Sequence, residues 1–147
     1  MKILVTGAKG FVGKNLVATL NTIKEGKNKT TELHDDLEIC EFDIDTDKAL
    51  LSEYCDGCDF VVNLAGVNRP QKTEEFMEGN FGFASTLIET LKKLNNTCPV
   101  LLSSSTQAAL DNPYGQSKKA GEDLFFDYSK ETGAKVLVYR FPNVFGK

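Results

Sequence analysis

The first thirteen residues constrain the fold more than any other part of the chain. Ile3-Leu-Val5 is an apolar run that breaks into Thr6-Gly-Ala-Lys-Gly-Phe-Val-Gly13, after which Val12, Leu16, Val17 and Leu20 recur at helical spacing. The pattern is strand, glycine turn, helix. In a sheet built from such units, ligands sit beyond the carboxyl ends of the strands. Gly7, Gly10 and Gly13 have G-x-x-G-x-x-G spacing. Glycines so placed let the backbone approach a pyrophosphate, whose charge the helix N-terminus meets. A tight turn without a ligand uses the same residue type; the strand before it and the helix after it favour the phosphate.

The rest of the chain continues the alternation. Leu37–Asp43 alternates as a strand, and Asp47–Tyr54 reads as a short helix with Asp47 as a possible cap. Phe60-Val-Val-Asn-Leu-Ala-Gly66 is a nearly continuous apolar run, as in a strand buried on both faces. A long helix is predicted over Glu74–Leu94, with Phe76, Phe83, Leu87, Leu91 and Leu94 on one side. A strand over Pro99–Ser103, a helix over Tyr114–Thr132 ended by Gly133, and a strand over Lys135–Phe141 follow. Asn21–Asp36 is polar and reads as the end of the first helix plus an exposed loop. Alternation of this length predicts an α/β fold, a Rossmann-type doubly wound parallel sheet with helices on both faces. At 147 residues there is material for one domain and not for two.

Charge and composition narrow the function classes. The 17 basic and 21 acidic residues give a net charge of −4 with no long block of either sign, which argues against a nucleic-acid partner. No apolar stretch approaches the ~20 residues needed to cross a bilayer. Met1-Lys2 runs straight into Ile3-Leu4-Val5, too short for a signal-peptide core, so a cytoplasmic location with reduced thiols is expected. Cys55 and Cys58 have C-x-x-C spacing, but Cys40, Cys98 and the single His34 supply no matching second cluster. The pair also precedes a strand instead of opening a helix. It is read as structural, and no metal site is expected.

Tyr114 and Lys118 stand four apart on a predicted helix, so both project from one face. A lysine ammonium beside a phenol favours the phenolate by Coulomb attraction. A tyrosine so placed can exchange a proton with a hydroxyl or carbonyl at ordinary pH. Alone the spacing is common by chance; here it follows a strand ending in Ser103-Ser-Ser105, in a chain that already carries the phosphate turn. For the cofactor, an acid at the tip of the second strand holds the ribose of NAD, and a basic neighbour accepts the 2′-phosphate of NADP. Asp43 is a candidate acid although it lies far beyond Gly7, and Lys9 sits inside the turn. NADP(H) is favoured, with NAD(H) the alternative.

Taken in order, Thr6–Gly13, Asn63-Leu-Ala-Gly66, Asn80, Ser103–Ser105, Tyr114-Gly-Gln-Ser-Lys118 and Arg140-Phe-Pro-Asn-Val-Phe-Gly146 resemble the short-chain dehydrogenase/reductase superfamily. The match is to its extended branch of NAD-dependent epimerases and dehydratases that act on nucleotide sugars. A narrower resemblance, in "TGAKGFVGKNL", "LAGVNRP", "LLSSSTQAALDNPYGQSK" and "YRFPNVFGK", is to the reductase half of bifunctional capsular-polysaccharide enzymes that make UDP-N-acetyl-L-fucosamine. That resemblance implies NADP(H)-dependent reduction of a 4-keto UDP-deoxy-sugar for capsule or surface polysaccharide. The alternative is an epimerase that keeps NAD bound.

By resemblance, Tyr114 protonates the sugar oxygen, Lys118 holds the nicotinamide ribose and tunes Tyr114, Ser105 hydrogen-bonds the reacting oxygen, and Asn80 organises Lys118 through water. Gly7, Lys9, Gly10, Phe11, Val12, Gly13, Asp43, Ile44, Leu64, Ala65 and Gly66 are the implied cofactor contacts, with Tyr114 and Lys118. Arg69, Ser104 and Asn143 are the implied substrate contacts. A homodimer through the two long helices is implied for the full-length protein.

Three departures qualify the resemblance. Dehydratases place Asp-Glu after the catalytic Ser/Thr, whereas here Thr106-Gln107 follow Ser105, which disfavours dehydration. One clear strand, not two, precedes Phe60, so Asp43 fits either the ribose acid of a second strand or the adenine-contacting "Phe42-Asp-Ile-Asp45" segment of a third. Finally, the family's substrate domain and any cupin domain would lie after Lys147. Residues 1–147 are therefore expected to be the NAD(P)-binding domain, an N-terminal piece truncated before the substrate domain, with weak cofactor binding and negligible turnover alone.

Overall fold

β1 (Lys2–Thr6) leads through the glycine turn into α1 (Phe11–Lys24), and β2 (Glu38–Phe42) follows. These and all later elements come from a computed structural model of the chain, which describes residues 1–27, 36–66 and 77–142. Next come α2 (Leu50–Cys55), β3 (Phe60–Asn63), a π-helical turn over Glu78–Gly82 that runs into α3 (Phe83–Lys93), and β4 (Val100–Ser105). A 3-10 turn over Thr106–Ala109, α4 (Pro113–Thr132) and β5 (Val136–Phe141) complete the order.

The five strands are parallel and stand in the order β2-β1-β3-β4-β5. The first crossover runs from β1 to β2 on one side, and the chain then returns past β1 to β3. The reversal falls between β1 and β3, and in a doubly wound sheet the crevice at that point is where ligands bind. β2 pairs directly with β1, Thr6 opposite Phe42, so Asp43 occupies the second-strand position among the described residues. That is the first of the two places the sequence leaves open for it.

Each face of the sheet carries its own apolar core. Val17, Leu20 and Ile23 of α1 pack on Ile3, Val5 and Val62. On the other face α2, α3 and α4 bring Leu51, Leu87, Ile88, Leu91, Phe125 and Tyr128 onto Leu4, Val61, Val100 and Leu102. Burial of Ile23 explains why α1 continues to Lys24, one turn beyond the polar boundary expected at Asn21. β4 also outruns its expected end at Ser103. Its partner β5 pairs through Ser104↔Arg140 and Ser105↔Phe141, which keeps all three serines in the strand.

α4 is well specified. Asn112 accepts the Gly115 N–H at 2.7 Å as N-cap, Pro113 occupies the first turn, and Gly133 closes the helix at φ 79°. Phe125 and Tyr128, 0% and 1% exposed, then fix the rotation of the helix, at about 2 kcal/mol of burial each. The Tyr128 hydroxyl donates to the Asn96 carbonyl at 2.9 Å. Cys55 and Cys58 lie in the same core, and all four cysteines are free thiols. No helix among the described residues is long and apolar enough to cross a membrane.

Candidate active site

The glycine turn and the exit of β3 meet at the carboxyl edge of the sheet. Gly7 has φ 67°, and a Cβ there would lie 2.7 Å from the Leu64 carbonyl and the Ala65 nitrogen. A Cβ on Gly13 would come within 2.1 Å of the Gly7 carbonyl oxygen. Gly10 differs: its Cβ would meet only that same oxygen, at 3.3 Å. The turn is thus closed on itself at Gly7 and Gly13 and open at Gly10, which is the N-cap of α1. No described side chain caps α1 there, and its first turn carries no acid. These features fit the pyrophosphate of a dinucleotide, with backbone N–H groups and the helix dipole as its partners. Phe11 and Val12 open α1 beside the turn, exposed and half-buried respectively.

Asp43 ties the turn to β2. One of its carboxylate oxygens accepts the Lys9 backbone N–H at 2.8 Å, and the other accepts the Ile44 N–H at 2.7 Å. The Lys9 ammonium is ion-paired with Asp45, and that partner raises its pKa above the ordinary lysine value. Ile44 is 96% exposed beside this pair, an apolar side chain standing in solvent at the edge of the expected cofactor site.

The serines of β4 divide by the alternation of the strand. Ser104 turns to the face covered by α4 and donates to buried Glu122 at 2.6 Å. Ser104, one of the expected substrate contacts, joins β4 to α4 through that bond. Ser105 N-caps the following 3-10 turn, its Oγ accepting the Gln107 N–H at 3.1 Å. An oxygen that accepts there keeps its own proton to donate elsewhere. The turn that follows Ser105 lies directly on the start of α4. A Cβ on Gly115 would sit 2.2 Å from the Gln107 carbonyl oxygen and 2.5 Å from that of Leu110.

Tyr114 and Lys118 come together with Asn80 and Gly66. The Lys118 Nζ is 5.7 Å from the centre of the Tyr114 ring. Asn80, in the π-helical turn and 7% exposed, donates through Nδ2 to the Ser117 hydroxyl at 2.9 Å. A Cβ on Gly66 would lie 2.6 Å from Asn80 Oδ1 and 3.0 Å from Lys118 Nζ, so both polar atoms converge on the space above that glycine. Ala65, Asn80, Ser103, Ser117 and Lys118 line a small solvent-open cleft. Burial lowers the Lys118 pKa, while the Glu122 carboxylate one turn along raises it and offsets part of the loss.

The sequence reading missed three residues: Ser117, Glu122 and Arg140 in its role as partner. Glu122 is 2% exposed and accepts from Arg140 Nε at 2.9 Å and Nη2 at 2.8 Å, a bidentate pair joining α4 to β5. Ser117 had a signal, since it stands between Tyr114 and Lys118. Glu122 had only its spacing from Lys118. Arg69 and Asn143 lie outside the described residues.

Comparison with known proteins agrees with this fold. The profile of the NAD dependent epimerase/dehydratase family matches residues 3–147. UDP-2-acetamido-2,6-beta-L-arabino-hexul-4-ose reductase of Pseudomonas aeruginosa is 41% identical over 147 residues, which is 100% of this chain and 37% of that protein. The crystal structure of the capsular polysaccharide assembling protein CapF from Staphylococcus aureus superposes with a TM-score of 0.80 at 44% identity, over 100% of this chain and 37% of that one. RMD from Pseudomonas aeruginosa, solved with NADPH, superposes with a TM-score of 0.70 at 25% identity, over 97% of this chain and 55% of its own. The chain therefore spans a little over a third of the first two relatives.

Proposed function

The chain belongs to the NAD dependent epimerase/dehydratase family, and from that premise we propose that it is the cofactor-binding, N-terminal part of a reductase of 4-keto UDP-deoxy-sugars that serves capsule or surface polysaccharide synthesis. The observation that carries the reading is the convergence of Lys118 and Asn80 over Gly66, with the Tyr114 ring 5.7 Å from the Lys118 Nζ, beside a glycine turn that fits a pyrophosphate. The 41% identity to a UDP-sugar 4-keto reductase supports the substrate class.

NADP(H) is the proposed cofactor, and when bound it supplies the hydride that reduces the keto carbon. Lys9, paired with Asp45 in the free protein, would hold the 2′-phosphate, while the Asp43 oxygens already accept two backbone N–H groups. Tyr114 gives its phenolic proton to the sugar oxygen. Lys118 keeps a positive charge beside the phenol, and a proton from solvent reaching the cleft replaces the one Tyr114 gives. Ser105, whose oxygen already accepts the Gln107 N–H, donates its hydroxyl to the same sugar oxygen and holds it in line with Tyr114. Thr106 and Gln107 offer no carboxylate to expel water, so the reaction stops at reduction.

Tyr114→Phe in the full-length protein tests the assignment. It removes the proton donor and leaves the ring, so turnover of a 4-keto UDP-sugar with NADPH should fall ~10²-fold or more. A rate equal to that of the parent protein would remove Tyr114 from the chemistry.

A further inference from the structure

We propose that Ser117 is a positioning residue for Lys118, acting by fixing which edge of the Asn80 amide faces the lysine. Ser117 is 0% exposed and lies on α4 between Tyr114 and Lys118. Its hydroxyl has one proton, and that proton goes to the Tyr114 carbonyl at 2.7 Å. Towards Asn80, 2.9 Å away, the same oxygen can then only accept. Asn80 must turn its NH₂ group to Ser117, and its carbonyl oxygen consequently lies on the other edge of the amide. That oxygen sits 2.6 Å from the point where a Cβ on Gly66 would be, and Lys118 Nζ sits 3.0 Å from the same point. An acceptor, not a donor, is thereby presented to the lysine. With the amide reversed, two N–H donors would face the ammonium.

Two features hold the arrangement. The π-helical turn over Glu78–Gly82 carries Asn80 at its centre, and such turns recur at functional sites. Gly121 brings α4 close to that turn, its Cβ position being 3.7 Å from the Asn80 carbonyl oxygen. The titratable groups that face Lys118 among the described residues are Tyr114 and Glu122 on its own helix. The end of β3 contributes Gly66, the π-helical turn Asn80, and β4 Ser103, none of which titrates. Arg140 of β5 meets Glu122. Burial already disfavours the Lys118 charge, so a neutral acceptor beside it matters.

The inference rests on the proposed function only in taking Lys118 as the partner of Tyr114, and its test does not need turnover. In full-length protein labelled with ¹³Cε-lysine, the Lys118 resonance, assigned by its loss in Lys118→Arg, is followed with pH. Ser117→Ala should lower the Lys118 midpoint by on the order of one unit, because an acceptor for the charged form is lost. Ser117→Thr, which keeps the hydroxyl, should restore it. Asn80→Leu should give the same shift, with no further change when Ser117→Ala is added. Should Ser117→Ala not fold, Ser117→Cys keeps the volume with a poorer acceptor and should shift the midpoint the same way.

The alkaline limb of the kcat profile should move to lower pH in the same variants, since Lys118 acts in its charged form. A Lys118 midpoint equal to that of the parent protein in the Ser117 variants overturns the inference, whatever the activity. A shifted midpoint in a protein that reduces no keto-sugar leaves the inference standing and sinks the functional reading instead.

Discussion

Gly66→Ala isolates the corner where Asn80 and Lys118 meet from the rest of the fold. The backbone at Gly66 is outside the left-handed region, so alanine brings no conformational strain. Its methyl group would meet Asn80 Oδ1 at 2.6 Å and Lys118 Nζ at 3.0 Å, and no backbone atom. Both polar atoms must retreat by roughly 0.5–1 Å to reach ordinary contact. Overpacking of this kind costs about 1–3 kcal/mol, and alanine at a compatible backbone returns about 0.4–1 kcal/mol through the unfolded chain. The net loss is on the order of 1 kcal/mol, which corresponds to a fall in Tm of about 5 °C or less. The effect on turnover should be far larger, because displacement of a reacting constellation by about 1 Å costs roughly 10²-fold in rate. The assay is NADPH consumption with a 4-keto UDP-sugar in the full-length protein, with Tm measured by circular dichroism. A kcat within about threefold of the parent, in a variant whose Tm shows that alanine has been accommodated, would refute the claim that the positions of Asn80 and Lys118 govern the chemistry.

Two further substitutions probe the edges of the site. Lys9→Ala should raise KM for NADPH about tenfold and leave KM for NADH nearly unchanged, as expected from loss of a charge-assisted contact to one phosphate; equal effects on the two cofactors would move the 2′-phosphate away from Lys9. Burial pushes the Glu122 carboxyl up, but hydrogen bonds from Arg140 and Ser104 outweigh it and hold the group below its ordinary value. A native pKa below the unfolded one gives stability that is present above about pH 4.3 and is lost as pH falls through the depressed value. Glu122→Gln should therefore lower Tm at neutral pH by about 5 °C and flatten its decline in acid, whereas parallel Tm curves for variant and parent would contradict the pairing.

Legibility of the fold followed the range of its signals. The turn from Gly7 to Gly13 and the caps of α4 are local, so a few consecutive residues specify them. The strand-helix alternation gave the parallel sheet for the same reason. The orientation of Ser103–Ser105 was not legible, because a shift of one residue exchanges the two faces of a strand and only the pairing with β5 sets where β4 ends. Asn80 was found by resemblance, yet the π-helical turn around it has no propensity signature. Glu122 looks like any polar residue on an amphipathic helix until Arg140, on the next strand, arrives against it. Asp43 needed the sheet order, since its job depends on which strand lies beside β1.

Isotope transfer separates reduction of the keto-sugar from its isomerisation. The full-length protein is supplied with NADPH deuterated at the nicotinamide C4 and with a 4-keto UDP-deoxy-sugar, and the product is read by mass spectrometry and NMR. One deuterium should appear at sugar C4 for each NADP⁺ formed. Turnover of the sugar with no deuterium acquired from the free cofactor would contradict the proposed reduction and identify an isomerase that recycles its own hydride.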